Sequence, residues 1–235
     1  MSRTSGWARV AALLLVALLL GWAGGGNVRG ATAPAGAVVY VAPIRGMIDL
    51  GLVPYVQRVL DEAADVQRVL EEAAGAGAAA VILQIDTFGG RVDAAVQIRD
   101  SLLRSPLRTV AFVDKRAISA GALISLAATT IAMADGGTIG AATPVMAGAP
   151  GAPAQPVAEK TVSYMRKEFR ATAESRGRPP LLAEAMVDAD VEIPEVIAKG
   201  KLLTLTTGEA LKHKVADLRA ADLTALLAAL DLSEA

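Results

Sequence analysis

The chain has 235 residues, with 23 basic and 24 acidic side chains and a formal net charge of −1, so nothing in its charge asks for nucleic acid or an anionic surface as partner. It has no cysteine and one histidine, His213. That excludes disulfides, thiolate metal sites, a cysteine nucleophile and a His-rich zinc site. Aromatic residues make up 3%, which removes stacking platforms for single-stranded nucleic acid and leaves the core to Leu, Val, Ile and Ala.

Arg3 and Arg9 precede an apolar run from Val10 to Leu20 that continues to Gly26. A basic start followed by a short apolar centre is the pattern of an export signal. Small residues at Ala31, Thr32 and Ala33 offer a cleavage site, and an uncleaved segment would be near the lower length limit for a membrane span. The expected division is therefore residues 1–33 as signal peptide or membrane anchor and 34–235 as one folded domain, in an exported, membrane-associated or periplasmic protein.

Residues 24–37 are rich in Gly, Ala and Pro and read as a linker. Residues 37–44 (AVVYVAPI) predict a buried strand, and 46–51 a turn. The spacing over 53–74 predicts a long helix. This helix holds a tandem repeat, VQRVLDEAAD at 56–65 and VQRVLEEAAG at 66–75. A ten-residue step falls about 80° short of three turns, so the two copies cannot face one flat surface. Residues 78–85 (AAAVILQI) predict a second buried strand, 86–90 a loop and 92–104 a helix. A third strand follows at 109–113, a helix at 117–128 that begins with small residues, and a short strand at 130–134. Residues 138–145 read as irregular, and 146–157, dense in Gly, Ala and Pro, as mobile. Helices are expected at 160–176 and 180–187, a strand at 203–205, a helix at 208–213 capped by Thr207, and a last helix at 221–230. Strands alternating with helices predict an α/β fold with parallel pairing.

Three pieces carry chemistry. Gly89 and Gly90 follow a strand directly, where backbone N–H groups can face outward without Cβ interference and stabilise an oxyanion. Ser119 stands at a strand-to-helix junction among small residues, where the helix dipole and the Ala120 N–H favour a negative tetrahedral intermediate. Lys160 opens a helix. A lysine serves as base only when burial or a nearby cation lowers its pKa from about 10.4, as in Ser-Lys dyads. Lys115, Lys167 and Lys199 are rival bases by spacing. His213 lies at a helix end between Lys212 and Lys214, which disfavour its protonation, and is assigned no catalytic role.

Together these segments resemble the ClpP-class serine proteases of the NfeD type, the stomatin operon partner proteases. The resemblance rests on DTFGGRVDAA (86–95), RAISAGALISLAA (116–128), TIGAATPV (138–145), EKTVSYMRKEFRATAESRGR (159–178) and LLTLTTGEALKHKVAD (202–217), in family order and at family spacing. It implies a ClpP/crotonase-like spiral α/β fold with parallel strands and surrounding helices. It implies Ser119 as nucleophile, Lys160 as base, and an oxyanion hole from the backbone N–H groups of Gly89, Gly90 and Ala120, with no metal or cofactor. The implied activity is a serine endopeptidase that cleaves hydrophobic segments of stomatin-like membrane proteins and assembles as a homodimer or larger homo-oligomer. The match at 138–145 and 202–217 favours this type over signal peptide peptidase A. The alternative in another class is a catalytically inactive scaffold of the same fold that binds a stomatin-like partner. Acyl-CoA chemistry of the crotonase kind fits poorly with an exported chain and leaves the Ser-Lys pair without purpose. Phe88 stands where the family usually has proline, Lys214 where a glycine usually ends the last family helix, and the repeat at 56–75 is extra. The match ends without the multi-span membrane region of longer relatives, which points to a short form or to a partner that supplies it.

Overall fold

The computed structural model describes residues 38–74, 78–146 and 155–233. The expected targeting segment, the linker and residues 147–154 of the stretch expected to be mobile lie outside these. The elements run β1 (Val38–Ile48), α1 (Leu52–Ala74), β2 (Ala78–Gly90), α2 (Val92–Arg104), β3 (Thr109–Ile118), α3 (Ala120–Ala127), β4 (Thr130–Met133) and β5 (Thr138–Gly140). Then follow β6 (Val145–Met146), β7 (Gln155–Pro156), α4 (Glu159–Ser175), α5 (Pro180–Val187), β8 (Thr204–Thr206), α6 (Thr207–Lys212), β9 (Leu218–Arg219) and α7 (Leu223–Ala229).

The main sheet is parallel in the order β1-β2-β3-β4-β9. The first halves of β2 and β3, residues 78–83 and 110–113, read as unbroken apolar runs because both faces are covered, as parallel sheets require. Val81, Leu83, Ile85, Ala111 and Val113 face a core shared with α1 to α5. Ile82, Val110 and Phe112 face the other side, where Leu226, Leu230 and Leu232 of the C-terminal segment close over them. Each such fully buried side chain contributes about 1.5–3 kcal/mol. β1 differs from its expectation. It is an edge strand with only Ala42, Ile44 and Ile48 buried, and it runs on through the expected turn at 46–48.

β3 changes partner along its length. Its first half, Val110–Val113, pairs with β4. Its second half, Arg116–Ile118, pairs with β5, which pairs antiparallel with β8. The predicted irregular stretch at 138–145 thus contains a strand, and the pairing is parallel except at this last step and in the β6–β7 pair. The expected loop 86–90 and the first residues of the expected helix 117–128 are likewise strand, held by β1 and β5.

Two arginines tie the helices to the sheet. Arg176 donates from Nε to Ala127 O (2.7 Å) and from Nη2 to Leu102 O (2.9 Å), so one guanidinium caps the C-terminal ends of α3 and α2. Buried Arg178 donates to Val215 O (3.1 Å) and Asp217 Oδ2 (2.8 Å). Asp217 in turn accepts from the Ile131 N–H at 2.7 Å, fastening the last strand to β4. The cap of α6 is Thr206, whose side chain and Glu209 form a capping box. Thr207, expected there, is instead buried and donates to Ala134 O at 2.6 Å. Among the described residues no helix is long and apolar enough to cross a membrane.

Candidate active site

Ser119 sits where β3 hands over to α3. Its backbone takes φ 56° and ψ −118°, outside the ordinary regions for an L-residue and costing on the order of 1–3 kcal/mol. The strain is held from both sides. The Ser119 N–H donates to Gly140 O on β5 at 3.0 Å. On the other side, all eight residues of α3 are buried, so the helix cannot shift to relax the junction. Small residues are required here by contact: a Cβ on Gly121 would lie 2.5 Å from Thr87 Cγ2. This places Ser119 directly before the free N–H groups of a buried helix.

The glycine pair at the end of β2 closes on Ser119. A Cβ at Gly89, whose φ is 110°, would stand 2.6 Å from Ser119 Cβ and 3.1 Å from Oγ, so no other residue fits. The two glycines do not offer their N–H groups equally. The Gly89 N–H, expected to face an oxyanion, donates to Thr87 Oγ1 at 2.9 Å and is taken. Gly90 pairs with Ile48 in β1, and it is Arg91 that donates to Ile48 O, at 2.7 Å. In a parallel ladder the residue bracketed in this way points its own N–H away from that neighbour. The Gly90 N–H therefore turns from β1 toward the side where β3 runs into Ser119. Gly90, Ser119 and Ala120 share a small cavity of ≈ 70 Å³, floored by Met165 and Phe169 of α4. Next to it, and sharing Val92, lies a larger cleft of ≈ 630 Å³ that includes Val96 and Tyr164. Burial, helped by the adjacent Glu168 carboxylate, raises the Tyr164 phenol above its usual pKa.

Lys160 lies in the first turn of α4. The buried stripe of that helix is Met165, Phe169, Thr172 and Ala173. Lys160 falls off this stripe, is exposed and does not line the Ser119 cavity. The structure thus brings together Ser119, Gly89, Gly90 and Ala120, and places Lys160 exposed in the first turn of α4, the helix whose Met165 and Phe169 line the Ser119 cavity. The three rival lysines are each beside a carboxylate: Lys167 Nζ at 2.6 Å from Glu184, Lys115 at 3.9 Å from Asp86 and Lys199 at 3.8 Å from Asp190. Thr87, which no motif argument singled out, is the residue sequence reasoning missed. A threonine two before a glycine signals nothing until the fold closes around its hydroxyl. No group of His, Asp and Glu suited to hold a metal ion occurs among the described residues.

The surface near the serine is apolar. Met47 stands opposite Gly89 in the β1–β2 ladder and is 77% exposed, and Phe88 is 73% exposed. The Phe88 ring carries the Arg116 guanidinium at 4.5 Å, and Arg116 is anchored by Asp86 at 3.3 Å. Phe88 is therefore inside the strand and stacked, not in the expected loop.

The chain resembles solved proteases of known fold. A serine-to-alanine mutant of the 1510-N membrane-bound stomatin-specific protease superposes with TM-score 0.66 at 28% identity, covering 82% of this chain and 84% of that one. A lysine-to-alanine mutant of the same protease in complex with a substrate peptide gives 0.64 at 29%, covering 83% and 80%. ClpP1 from Listeria monocytogenes, at TM-score 0.53 and 18% identity over 79% of this chain and 94% of that one, shares the fold. Among curated proteins, the membrane protein NfeD1b of Bacillus subtilis is 36% identical over 198 residues, 84% of this chain and 42% of its own length. The membrane-bound protease PH1510 of Pyrococcus horikoshii is 31% identical over 193 residues, 81% and 39% respectively. The chain thus spans about two fifths of the curated relatives it matches. The model of the NfeD1b N-terminal domain matches residues 38–235, which takes in every described element, and the chain belongs to that family with a ClpP-like fold.

Proposed function

We propose that the chain is a serine endopeptidase in which Ser119 attacks the peptide carbonyl and Lys160 is the base, acting on apolar segments of stomatin-like membrane proteins. The observation that carries this reading is the strained Ser119 at the head of a buried helix, with the Gly90 and Ala120 N–H groups beside it. Donors fixed in that way stabilise a developing oxyanion without reorganising. The relative solved as a serine-to-alanine and as a lysine-to-alanine mutant has those two positions separated by the same number of residues as Ser119 and Lys160. That spacing, and the carboxylate partners of Lys115, Lys167 and Lys199, favour Lys160 over its rivals.

On this reading Lys160 meets Ser119 Oγ once peptide is bound, carried by the helix whose Met165 and Phe169 floor the Ser119 cavity. An apolar peptide laid over Met47, Phe88 and the Val92–Tyr164 cleft would also exclude water, the condition under which a lysine gives up its proton. Lys160 takes the Ser119 proton as the oxygen adds to the carbonyl, the protonated lysine delivers it to the leaving amine, and water repeats the sequence to release the acyl group. Residues 1–33 would export the domain and hold or deliver it to the membrane where such a substrate resides, and assembly into a homodimer or larger oligomer belongs to the same reading.

The test is cleavage of a peptide patterned on an apolar stomatin C-terminal segment, by the full chain and by Ser119→Ala and Lys160→Ala. Wild type should cut, and each folded variant should lose at least about 10³-fold in kcat/KM. An inert wild type, or variants that cut as well as it does, would overturn the reading in favour of a non-catalytic scaffold for the same partner.

A further inference from the structure

We infer that the Thr87 hydroxyl is a positioning group for the oxyanion site: it fixes the Phe88–Gly89 peptide, from which the chain turns to present the Gly90 N–H toward Ser119. The inference rests on the protease reading and adds to it a residue that touches neither substrate nor nucleophile. Thr87 is 1% exposed and meets three elements at once. Its Oγ1 donates to Gly46 O of β1 at 2.6 Å. It accepts from the Gly89 N–H at 2.9 Å and lies 3.4 Å from Gly89 O. Its methyl fills the space left by the missing side chain of Gly121, in the first turn of α3.

A hydroxyl has one proton and two acceptor lone pairs, and the stronger donation goes to Gly46. The Phe88–Gly89 peptide, which carries the Gly89 N–H, is therefore tied through Thr87 to β1, and the next peptide, which carries Gly89 O and the Gly90 N–H, starts from the Gly89 Cα held by this tie. In a trans peptide the carbonyl and the following N–H point in opposite directions. With Gly89 O turned toward Thr87 and β1, the Gly90 N–H has to point to the Ser119 side. The tie is needed because glycine has no Cβ to resist rotation of either peptide plane. The close approach to Ser119 demands glycine, glycine leaves the donor free to swing, and the hydroxyl two residues earlier restrains it. Removing the hydroxyl while keeping the shape would leave the buried Gly89 N–H without a partner, a state relieved by rotating the Phe88–Gly89 peptide and so moving the Gly89 Cα from which the Gly90 N–H is aimed.

The experiment measures kcat and KM of the full chain on the peptide above for wild type, Thr87→Val and Thr87→Ser, with thermal melting of each. Thr87→Val should melt cooperatively and lose roughly 10²-fold in kcat, the effect of a misplaced group, with KM little changed. Thr87→Ser, which restores the hydroxyl and drops the methyl, should recover most of the kcat. A Thr87→Val enzyme as fast as wild type, or a Thr87→Ser enzyme as slow as Thr87→Val, overturns the inference while leaving the protease intact. An inert wild type overturns both. Should Thr87→Val not fold, hydrogen exchange at the Gly89 amide of wild type decides: protection is expected, and exchange at the rate of an open loop overturns the inference.

Discussion

Lys214 ends α6 with φ 58°, a left-handed conformation that costs an L-residue about 1–2 kcal/mol. Its N–H donates to Leu211 O at 3.1 Å and the next N–H, that of Val215, to Ala210 O at 2.8 Å, the pair of bonds that favours glycine at this position. Lys214→Gly should therefore stabilise the protein by about 1 kcal/mol in urea unfolding, less than the full strain because glycine is freer when unfolded. At the other end of the same helix, Thr206 holds the Glu209 carboxyl below the usual carboxylate range through backbone and side-chain hydrogen bonds. A carboxyl lowered on folding adds stability above its unfolded pKa and loses it as pH falls through the folded one. Wild type should thus lose more stability on acidification below about pH 4.5 than Glu209→Gln does, by a small amount because the group is exposed. Pairing Glu209 with Thr206 was open to reading from the sequence. The register was missed by one residue because Thr206 and Thr207 are chemically equal, and only the buried acceptor at Ala134 O distinguishes them.

Among the elements, α5 falls where expected although Leu182 to Val187 are all buried, and α2 was legible because its apolar residues recur on one face. The upper halves of β2 and β3 were not, since Asp86, Lys115 and Arg116 are charged and the glycine pair reads as a turn. Those residues are strand because β1 and β5 supply backbone partners from elsewhere in the chain. That same half of the sheet builds the site, so Ser119 and the glycines could be found from their types while their mutual contact could not. Lys160 was legible as a helix residue, and its exposed place off the buried stripe of α4 was not. The joint between elements is most concentrated at Arg176, whose single guanidinium serves the ends of α2 and α3. Arg176→Met should cost about 2–4 kcal/mol, from two charge-assisted bonds and the carbonyls left behind. Arg176→Lys should recover less than half, because a point charge cannot bridge both. Chemical denaturation of the three proteins checks this.

For the whole molecule, the main sheet is completed from both ends of the described domain. β1 pairs with its successor, while β9 comes back from beyond residue 216 to pair with β4, and α7 and its flanks cover the face that holds Val110 and Phe112. A chain cut after Ala216 would lose Asp217, the partner of both Arg178 and the Ile131 N–H, and leave an apolar face open. It should fail to unfold cooperatively in calorimetry and should bind a hydrophobic dye. The position of that fastening also sets an order of events in time. As the chain leaves the ribosome or passes through a membrane pore, N-terminus first, everything needed to bind Ser119 is already out while the clasp that secures β4 is still to come. The Ser119 junction can form early only on an unfinished sheet, so the domain matures once residues 217–233 have been released.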